Sequence, residues 1–238
     1  MATLKTLSSG SHGNCYILDC DGEQLLIELG ISWKDIIRGL DYDLSKVIGC
    51  LVSHRHQDHA LSIPNAIKFG LSVYSCQDVK DIYPQVKVLK KGVKMRLGGY
   101  SIQAIPLQHS VECYGFLIEH PSMGKTIFAT DCTSIPYRFK DIQHFLVEAN
   151  NEFDEMVDNL CDNNQSMSHN ENHMELSDTV DFLQQNYSSS MQNILLIHLS
   201  SANIDAQKAK KRIQDELGFS NVYVAEKNLC LDLLKDEF

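Results

Sequence analysis

Three histidines and an aspartate lie within one short stretch, and all four side chains are of the kinds that bind transition metals. The stretch contains His54, His56, Asp58 and His59, and it directly follows an apolar run, Val47 to Val52, that predicts a buried strand. Imidazole and carboxylate ligands suit Zn²⁺, Mn²⁺ or Fe and require no thiolate. His54 and His56 are two residues apart, so their side chains can point to the same side of an extended or turning backbone. Asp58 and His59 come about one turn later and can face a second ion. This spacing predicts ligands for two ions at the end of one strand.

The pattern His54-x-His56-x-Asp58-His59 resembles the HxHxDH signature of the metallo-β-lactamase-fold hydrolases. This resemblance implies further single ligands, each at the end of its own strand. Apolar runs precede three such residues in the family's order. By resemblance, the first ion is held by His54, His56 and His109, the second by Asp58, His59 and His198, and Asp131 bridges the two.

The order of apolar runs predicts the fold. Runs typical of strands come first in series and then alternate with helical patterns, twice over along the chain. This order favours two β-sheets packed face to face with helices outside, the four-layer αββα sandwich of the α/β class. No linker divides the chain, so we expect one domain over residues 1–238. Residues 150–172 are rich in Asn, Asp and Glu, with helical spacing over 152–160, and 161–175 is predicted to be an exposed loop or lid.

Charge and cysteine usage limit the classes of function. The chain has 238 residues and a net charge of −10, which argues against broad electrostatic binding to nucleic acid. Two divalent ions would nevertheless supply positive charge where a phosphate must sit. The eight cysteines include no CxxC pair and predict reduced, mostly buried thiols. We see no signal-peptide pattern and no apolar run near the ~18 residues of a membrane span, so we expect a soluble, cytoplasmic protein.

Further segments resemble the YycJ/WalJ group of this fold, whose members are phosphodiesterases that act on DNA. Ser8 to Tyr16 is similar to that group's SSGSxGN opening, and Leu146 to Asn150 is similar to its acidic strand end. His173 ahead of Leu176 and Ser177, and the segment His198 to Asn203, match its later motifs in place. The resemblance implies two divalent metal ions, Zn²⁺ in the first place or Mn²⁺, and hydrolysis of a phosphodiester through a metal-bridging hydroxide.

Several polar residues of these segments are candidate substrate contacts. Ser9, Ser11 and Asn14 could bind phosphate oxygens, or their loop could be a plain tight turn. Ser200 and Asn203 could also bind phosphate, although for Asn203 the cap of the following helix is the favoured role.

Asp58 and His173 are the candidate catalytic residues. His173 could protonate the leaving oxygen, or it could be an exposed loop histidine near the start of a helix. Glu28 stands where many members of the family have an aspartate that orients the HxHxDH loop. Its additional methylene either is neutral or changes the metal affinity.

Other functions stay open at this point. A cyclic-nucleotide phosphodiesterase fits the acidic surface, and the ligand set alone would also fit a hydrolase of a thioester, lactone or β-lactam. A binding protein on a decayed scaffold is disfavoured because every ligand position is filled. The expected partner is a nucleic acid or nucleotide phosphodiester, without a membrane, and a homodimer is possible. Lys208 to Arg212 is the densest basic cluster, and such a cluster on a helix is more typical of a solvated face.

Overall fold

The computed structural model describes residues 1–150, 173–199 and 204–234, and its strands form two sheets. The first sheet has the order β14-β1-β2-β3-β4-β5-β6, and the second has the order β13-β12-β11-β10-β9-β8-β7. The strands of the N-terminal half are β1 (Ala2–Ser8), β2 (Cys15–Cys20), β3 (Glu23–Ile27), β4 (Val47–Leu51), β5 (Val73–Ser75), β6 (Lys87–Val88), β7 (Lys94–Leu97), β8 (Tyr100–Leu107) and β9 (Cys113–His120). The later strands are β10 (Gly124–Ala129), β11 (His144–Glu148), β12 (Asn193–Ile197), β13 (Val222–Val224) and β14 (Cys230–Asp232).

The helices flank the two sheets. They are α1 (Trp33–Gly39), α2 (Gln57–Ala60), α3 (Ile63–Lys68), α4 (Gln77–Ile82), α5 (Leu176–Gln185) and α6 (Ala206–Leu217). Helices α1, α3 and α4 contact strands of the first sheet, whereas α6 contacts β13 of the second sheet and α5. The predicted αββα sandwich is therefore confirmed.

Apolar side chains from both sheets form one core between them. Leu4 and Leu18 of the first sheet belong to the same buried cluster as Phe116 and Leu195 of the second. The ring of Tyr16 meets that of Phe128 edge to face, with centroids 5.6 Å apart. A second buried cluster joins the outer face of the second sheet to α5 and α6. Each sheet is thus fixed by burial on both faces, which gives its strand ends defined positions.

Helix starts follow the capping chemistry of the sequence. The Ser32 side chain accepts a hydrogen bond from Asp35 N at the start of α1. The Asp205 carboxylate accepts from Gln207 N and Lys208 N at the start of α6. The N-cap of α6 is thus Asp205, directly before the first helical residue, whereas Asn203, the candidate cap from the sequence, lies outside the described residues.

Strand directions bring the polar strand ends to one edge of the sandwich. Strands β10, β11 and β12 are mutually parallel, and β8 runs in the same direction because both β8 and β10 are antiparallel to β9. In the first sheet, β3 and β4 are parallel. The ends of these strands carry, in chain order, Glu28, Ser53, His109, Asp131, Glu148 and His198.

The loop of residues 8–14, called the Ser-Gly loop below, packs tightly against this edge. Asn14 N–H donates to Asp58 O at 2.8 Å, and Gly30 N–H donates to Asn14 O at 2.9 Å. A Cβ at Gly30 would lie 1.6 Å from Asp58 O, so only glycine allows the two backbones to approach this closely. The Ser-Gly loop and the HxHxDH stretch therefore form one packed unit.

Three features lie outside the sequence prediction or outside the described residues. Strand β14 was not predicted, and it pairs with β1 through Lys5↔Cys230. The predicted helix over 152–160 and most of the predicted lid, 161–172, fall outside the described residues.

The described cysteines are free thiols, all buried except Cys230. Within the described ranges, no helix is both long enough and apolar enough to span a membrane.

Candidate metal centre

The first three predicted ligands converge in one place. His56 Nδ1 lies 3.0 Å from His54 Nε2 and 3.2 Å from His109 Nε2. The other ring nitrogen of His54 lies 2.8 Å from Ser53 Oγ, which leaves Nε2 for the cluster. Burial, with the neighbouring histidines, holds the pKa of His54 well below its usual value, and burial also lowers the pKa of His109. Neutral imidazoles that point their lone pairs at one another form a site for a cation.

The second predicted group also converges. His59 Nε2 lies 3.2 Å and His198 Nε2 lies 3.3 Å from Asp58 Oδ2. Asp131 adjoins the same nitrogens, with Oδ2 2.9 Å from His59 Nε2 and Oδ1 3.7 Å from His198 Nε2. Asp131 also forms a potential ligand set with His54 and His59. Its carboxylate therefore lies where the resemblance predicts a ligand shared by two ions.

The charge balance differs between the two groups. Burial alone would lower the pKa of His59, but the carboxylates of Asp131 and Glu28 outweigh it and raise that pKa well above its usual value. Burial also opposes protonation of His198, but Asp131, Asp58 and Glu148 outweigh it and raise the pKa of His198 to about 10. Burial opposes ionisation of Asp131 too, yet the adjacent histidines hold its pKa well below the usual range. Without a metal, protons on these rings balance the buried carboxylates, and a bound cation would take their place.

Two buried glutamates lie behind the ligand rings. Glu28 accepts from Ser53 N at 3.2 Å and lies 3.5 Å from His59 Nδ1. Glu148 accepts from Asp131 N at 2.5 Å and lies 3.6 Å from His198 Nδ1. These ring contacts are longer than well-formed hydrogen bonds, but each carboxylate faces the ring nitrogen that points away from the cluster, a common arrangement behind metal-ligating histidines. Glu28 therefore contacts both the start of the HxHxDH stretch and one of its rings, a position from which it can orient that loop.

Sequence reasoning did not include Glu148 among the site residues. It ends the apolar strand β11, between the parallel strands that deliver Asp131 and His198, so its position at a buried strand end was a usable signal. The missing information was the strand order, which places those three ends side by side.

Left-handed backbone conformation marks several of these strand ends. The φ angles are +64° for Glu28, +50° for Asp131 and +54° for His198. A non-glycine residue in this region costs roughly 1–2 kcal/mol, so the surrounding structure must impose it. Each of these residues turns the chain where a carboxylate or imidazole must face the cluster.

His173 lies at the rim of the centre. Its Nδ1 is 2.5 Å from Glu148 Oε1 and 3.6 Å from Asp131 Oδ1, and its ring stacks on that of His198 with centroids 5.6 Å apart. Its side chain is 21% exposed, whereas those of Glu148 and His198 are almost fully buried. The predicted catalytic histidine therefore adjoins the centre and is the member of this group open to solvent.

The predicted substrate contacts of the Ser-Gly loop are largely occupied within the protein. Ser9 Oγ accepts from His198 N at 2.8 Å and lies 2.7 Å from Tyr16 OH. Asn14 is buried; its Oδ1 accepts from Gly10 N at 2.9 Å and its Nδ2 lies 3.2 Å from His59 Nε2. The expectation that both side chains contact substrate is therefore replaced by a positioning role.

The remaining predicted substrate contacts are Ser11, Ser200 and Asn203. Ser11 is exposed. Ser200 and Asn203 lie outside the described residues, so their roles stay predictions.

The donor set fits two transition-metal ions. Among the described residues, the donor groups that converge are imidazole nitrogens and carboxylate oxygens, which is chemistry suited to Zn²⁺, Mn²⁺ or Fe.

Replacement of Glu28 by glutamine should weaken metal binding while leaving the fold intact. Glutamine keeps an oxygen for Ser53 N but removes the charge behind His59, and loss of such an outer carboxylate typically costs about 10–100-fold in metal affinity. Competition with a chromogenic chelator measures this affinity. The matched control is Glu23→Gln, at the start of the strand that Glu28 follows, whose carboxylate accepts from Gly99 N instead. Equal affinities for Glu28→Gln and wild type would contradict the orienting role.

Known proteins resemble the chain in sequence and in structure. No family model matches the chain. Exodeoxyribonuclease YycJ of Bacillus anthracis is 24% identical over 163 residues, which cover 61% of this chain and 62% of that protein. Ribonuclease Z of Methanosarcina mazei is 27% identical over 132 residues, which cover 46% of this chain and 43% of that protein. The matched regions thus span less than two thirds of either relative.

Solved structures match over nearly the whole chain. The metallo-β-lactamase-fold protein YhfI from Bacillus subtilis has a TM-score of 0.74 at 16% identity, covering 98% of this chain and 100% of that one. A diphosphatase of the PhnP family has a TM-score of 0.69 at 17% identity, with 99% and 100% covered. The short form of human tRNase Z has a TM-score of 0.69 at 13% identity, with 97% and 99% covered. The convergent strand ends and these likenesses together show that the chain has the metallo-β-lactamase fold.

Proposed function

We propose that the protein is a hydrolase that depends on two metal ions and cleaves phosphodiester bonds in nucleic acid, most specifically a DNA exonuclease. The observation that carries the proposal is the convergence of two donor groups on one carboxylate, Asp131, beside the rim histidine His173. Both relatives matched in sequence bear names of nucleic-acid hydrolases, one for DNA and one for RNA. The DNA-directed relative is matched over the larger share of this chain, which favours DNA.

The metals would be held by the side chains described above. His54, His56 and His109 would hold one ion, and Asp58, His59 and His198 the other, with Asp131 shared. Bound divalent ions, Zn²⁺ or Mn²⁺, would activate water and offset the charge that develops on a phosphoryl group. The protein contributes fixed ligand positions, because strand ends and buried glutamates hold the imidazoles before any substrate arrives.

His173 is placed to deliver a proton to the leaving oxygen. Glu148 Oε1 engages its Nδ1 at 2.5 Å, so the proton available to substrate is the one on Nε2. The ring is held by stacking on His198 and is partly open to solvent, so a substrate atom can reach it. A positioned histidine of this kind contributes about 10²–10⁴-fold in rate to a reaction with a poor leaving group, such as a nucleotide hydroxyl.

Digestion of 5′-phosphorylated duplex DNA tests the proposed reaction. Wild-type protein supplied with Mn²⁺ or Zn²⁺ should release mononucleotides, and Asp58→Ala should not, because the second group loses a carboxylate that faces both imidazoles. Asp43→Ala is the matched control, since this exposed carboxylate bonds only to Ser45 among the described contacts. Absence of release by metal-loaded wild type would refute the exonuclease assignment, and cyclic nucleotides and thioesters would then be the next substrates to assay.

The role of His173 is separable from metal binding by the choice of leaving group. His173→Ala should slow cleavage of an unmodified dinucleotide by about 10²–10⁴-fold. The same variant should lose much less activity on a p-nitrophenyl ester of thymidine 5′-phosphate, because p-nitrophenolate leaves without a proton. Steady-state rates on the two substrates, with metal content measured in parallel, give the comparison. An equal loss on both would assign His173 to holding the metals instead.

A further inference from the structure

A cleft lies beside the metal centre, on the other side of the Ser-Gly loop. Its volume is about 340 Å³, and it is lined by residues of β1, the Ser-Gly loop, the β3–α1 segment, α1 and the turn between β13 and β14. Ser8 and His12 of the Ser-Gly loop belong to its wall. The same loop donates from Asn14 N to Asp58 O and accepts from His198 N through Ser9 Oγ. One loop therefore separates the cleft from the ligands of the second group.

The cleft gathers cationic side chains from distant parts of the sequence. Lys5, Arg38 and Lys227 line it, and Asp35 is the only carboxylate among its described lining residues. The chain as a whole carries a net charge of −10, so this local excess of positive charge runs against the overall balance. We call this surface, defined by the three cations, the basic cleft.

The single carboxylate of the basic cleft is already engaged. Asp35 accepts from Ser32 Oγ at 2.6 Å and pairs with Arg38 at 3.1 Å. The Ser32 hydroxyl, then the charges of Arg38, Lys227 and Lys34, hold the pKa of Asp35 below its usual value. Because one carboxylate faces several cations that are exposed to solvent, the basic cleft keeps a net positive charge.

The Lys5 side chain and the backbone that carries Lys227 are anchored by hydrogen bonds. Lys5 Nζ donates to Gly39 O at 2.9 Å, which leaves two of its three donors free for a ligand. Lys227 sits on a turn that is bonded to β1, where Asn228 N–H donates to Thr6 O at 2.8 Å and Thr6 N–H donates to Leu229 O at 2.9 Å. A fixed group of cations binds an anion with less loss of entropy than free surface lysines do.

The basic cluster that is densest in sequence is different. On α6, Lys211 pairs with Asp215 at 2.8 Å and Arg212 pairs with Glu216 at 2.7 Å. These pairs at i,i+4 neutralise much of that face, as the sequence suggested. The α6 cluster is therefore a weaker candidate for an anion than the basic cleft.

An aromatic pair begins one residue beyond the cleft wall along the chain. Trp33 directly follows Ser32 of the cleft wall, and its ring packs on that of Phe69 with centroids 5.3 Å apart. Phe69 is 54% exposed and Leu61, in the cleft wall, is 47% exposed. Cations beside exposed aromatic and apolar side chains are the combination that binds single-stranded nucleic acid, through phosphates and stacked bases.

We propose that the basic cleft binds a single-stranded part of the nucleic-acid substrate, with backbone phosphates on Lys5, Arg38 and Lys227, while the reacting phosphate is at the metal centre. The proposal rests on the proposed function and adds to it the path of the bound strand. It also accounts for the action of so acidic a protein on a polyanion, because the positive surface is concentrated beside the site of cleavage.

Salt-dependent binding of an oligonucleotide tests this path. Metal-loaded wild type and Arg38→Ala/Lys227→Ala would be titrated against a fluorescent phosphorothioate oligothymidylate, which resists cleavage. Each lost phosphate contact on a single strand lowers the slope of log K against log salt by about 0.7, so the double variant should lose about 1.4. With the two binding lines meeting at 1 M salt, this difference in slope corresponds to roughly 25-fold weaker binding by the double variant at 0.1 M salt. The ratio of kcat/KM on an oligonucleotide to that on a p-nitrophenyl nucleotide should fall by a similar factor.

Lys94→Ala/Arg96→Ala is the matched control. It removes the same charge from the opposite end of the second sheet, where Arg96 lies beside Ser101 and away from His109, and it should leave the slope and the ratio unchanged. Equal slopes for wild type and the cleft variant would overturn the proposal, as would an equal loss in both double variants. Cleavage of DNA by wild type in the same experiment shows that the proposed function holds whatever the cleft variant does. Thermal unfolding and metal content confirm that each variant is folded.

Discussion

The structure depends on a set of buried carboxylates that face imidazole rings at one edge of the sandwich. Glu28, Asp131 and Glu148 are almost fully removed from water, as are His54, His59 and His198. An isolated buried carboxylate would cost several kcal/mol, so each must be matched by a cation or by a hydrogen-bond donor. Backbone N–H groups at the strand ends and ring protons on the histidines supply the balance. A metal ion would supply it more completely, and this links the stability of the edge to its chemistry.

The two sheets serve to keep this edge in register. Parallel pairing of β10, β11 and β12 sets Asp131, Glu148 and His198 next to one another, and the core between the sheets holds them against the HxHxDH stretch of the first sheet. Left-handed φ angles at strand ends are tolerated because the neighbouring strands and the Ser-Gly loop impose them. The fold thus bears the strain and gives the candidate ligands fixed positions at this edge.

Much of this organisation was accessible from the sequence, because it is carried by local patterns. Apolar runs followed by a histidine or an aspartate located His109, Asp131 and His198, and turn residues located the hairpins. Ser9 and Asn14 were interpreted as substrate contacts because sequence shows hydroxyl and amide groups but not their partners. In the structure those groups are occupied by His198 N and by the Gly10 and His59 contacts.

Features that arise only from long-range packing were not accessible. Strand β14 is three residues long and is defined only by its pairing with β1. The basic cleft combines Lys5, Arg38 and Lys227, which are far apart along the chain, whereas the obvious cluster on α6 is largely paired. Neither the net charge nor the density of basic residues along the sequence therefore predicts the basic cleft, which the structure places beside the candidate metal centre.

Metal stoichiometry tests directly whether two ions share Asp131. Native mass spectrometry of protein purified without chelators, supported by elemental analysis, counts the ions in each chain. We expect two ions for wild type, about one for His109→Ala and none retained by Asp131→Ala, with all three proteins folded. A wild-type protein that binds one ion at saturation, or an Asp131→Ala protein that retains two, would contradict it.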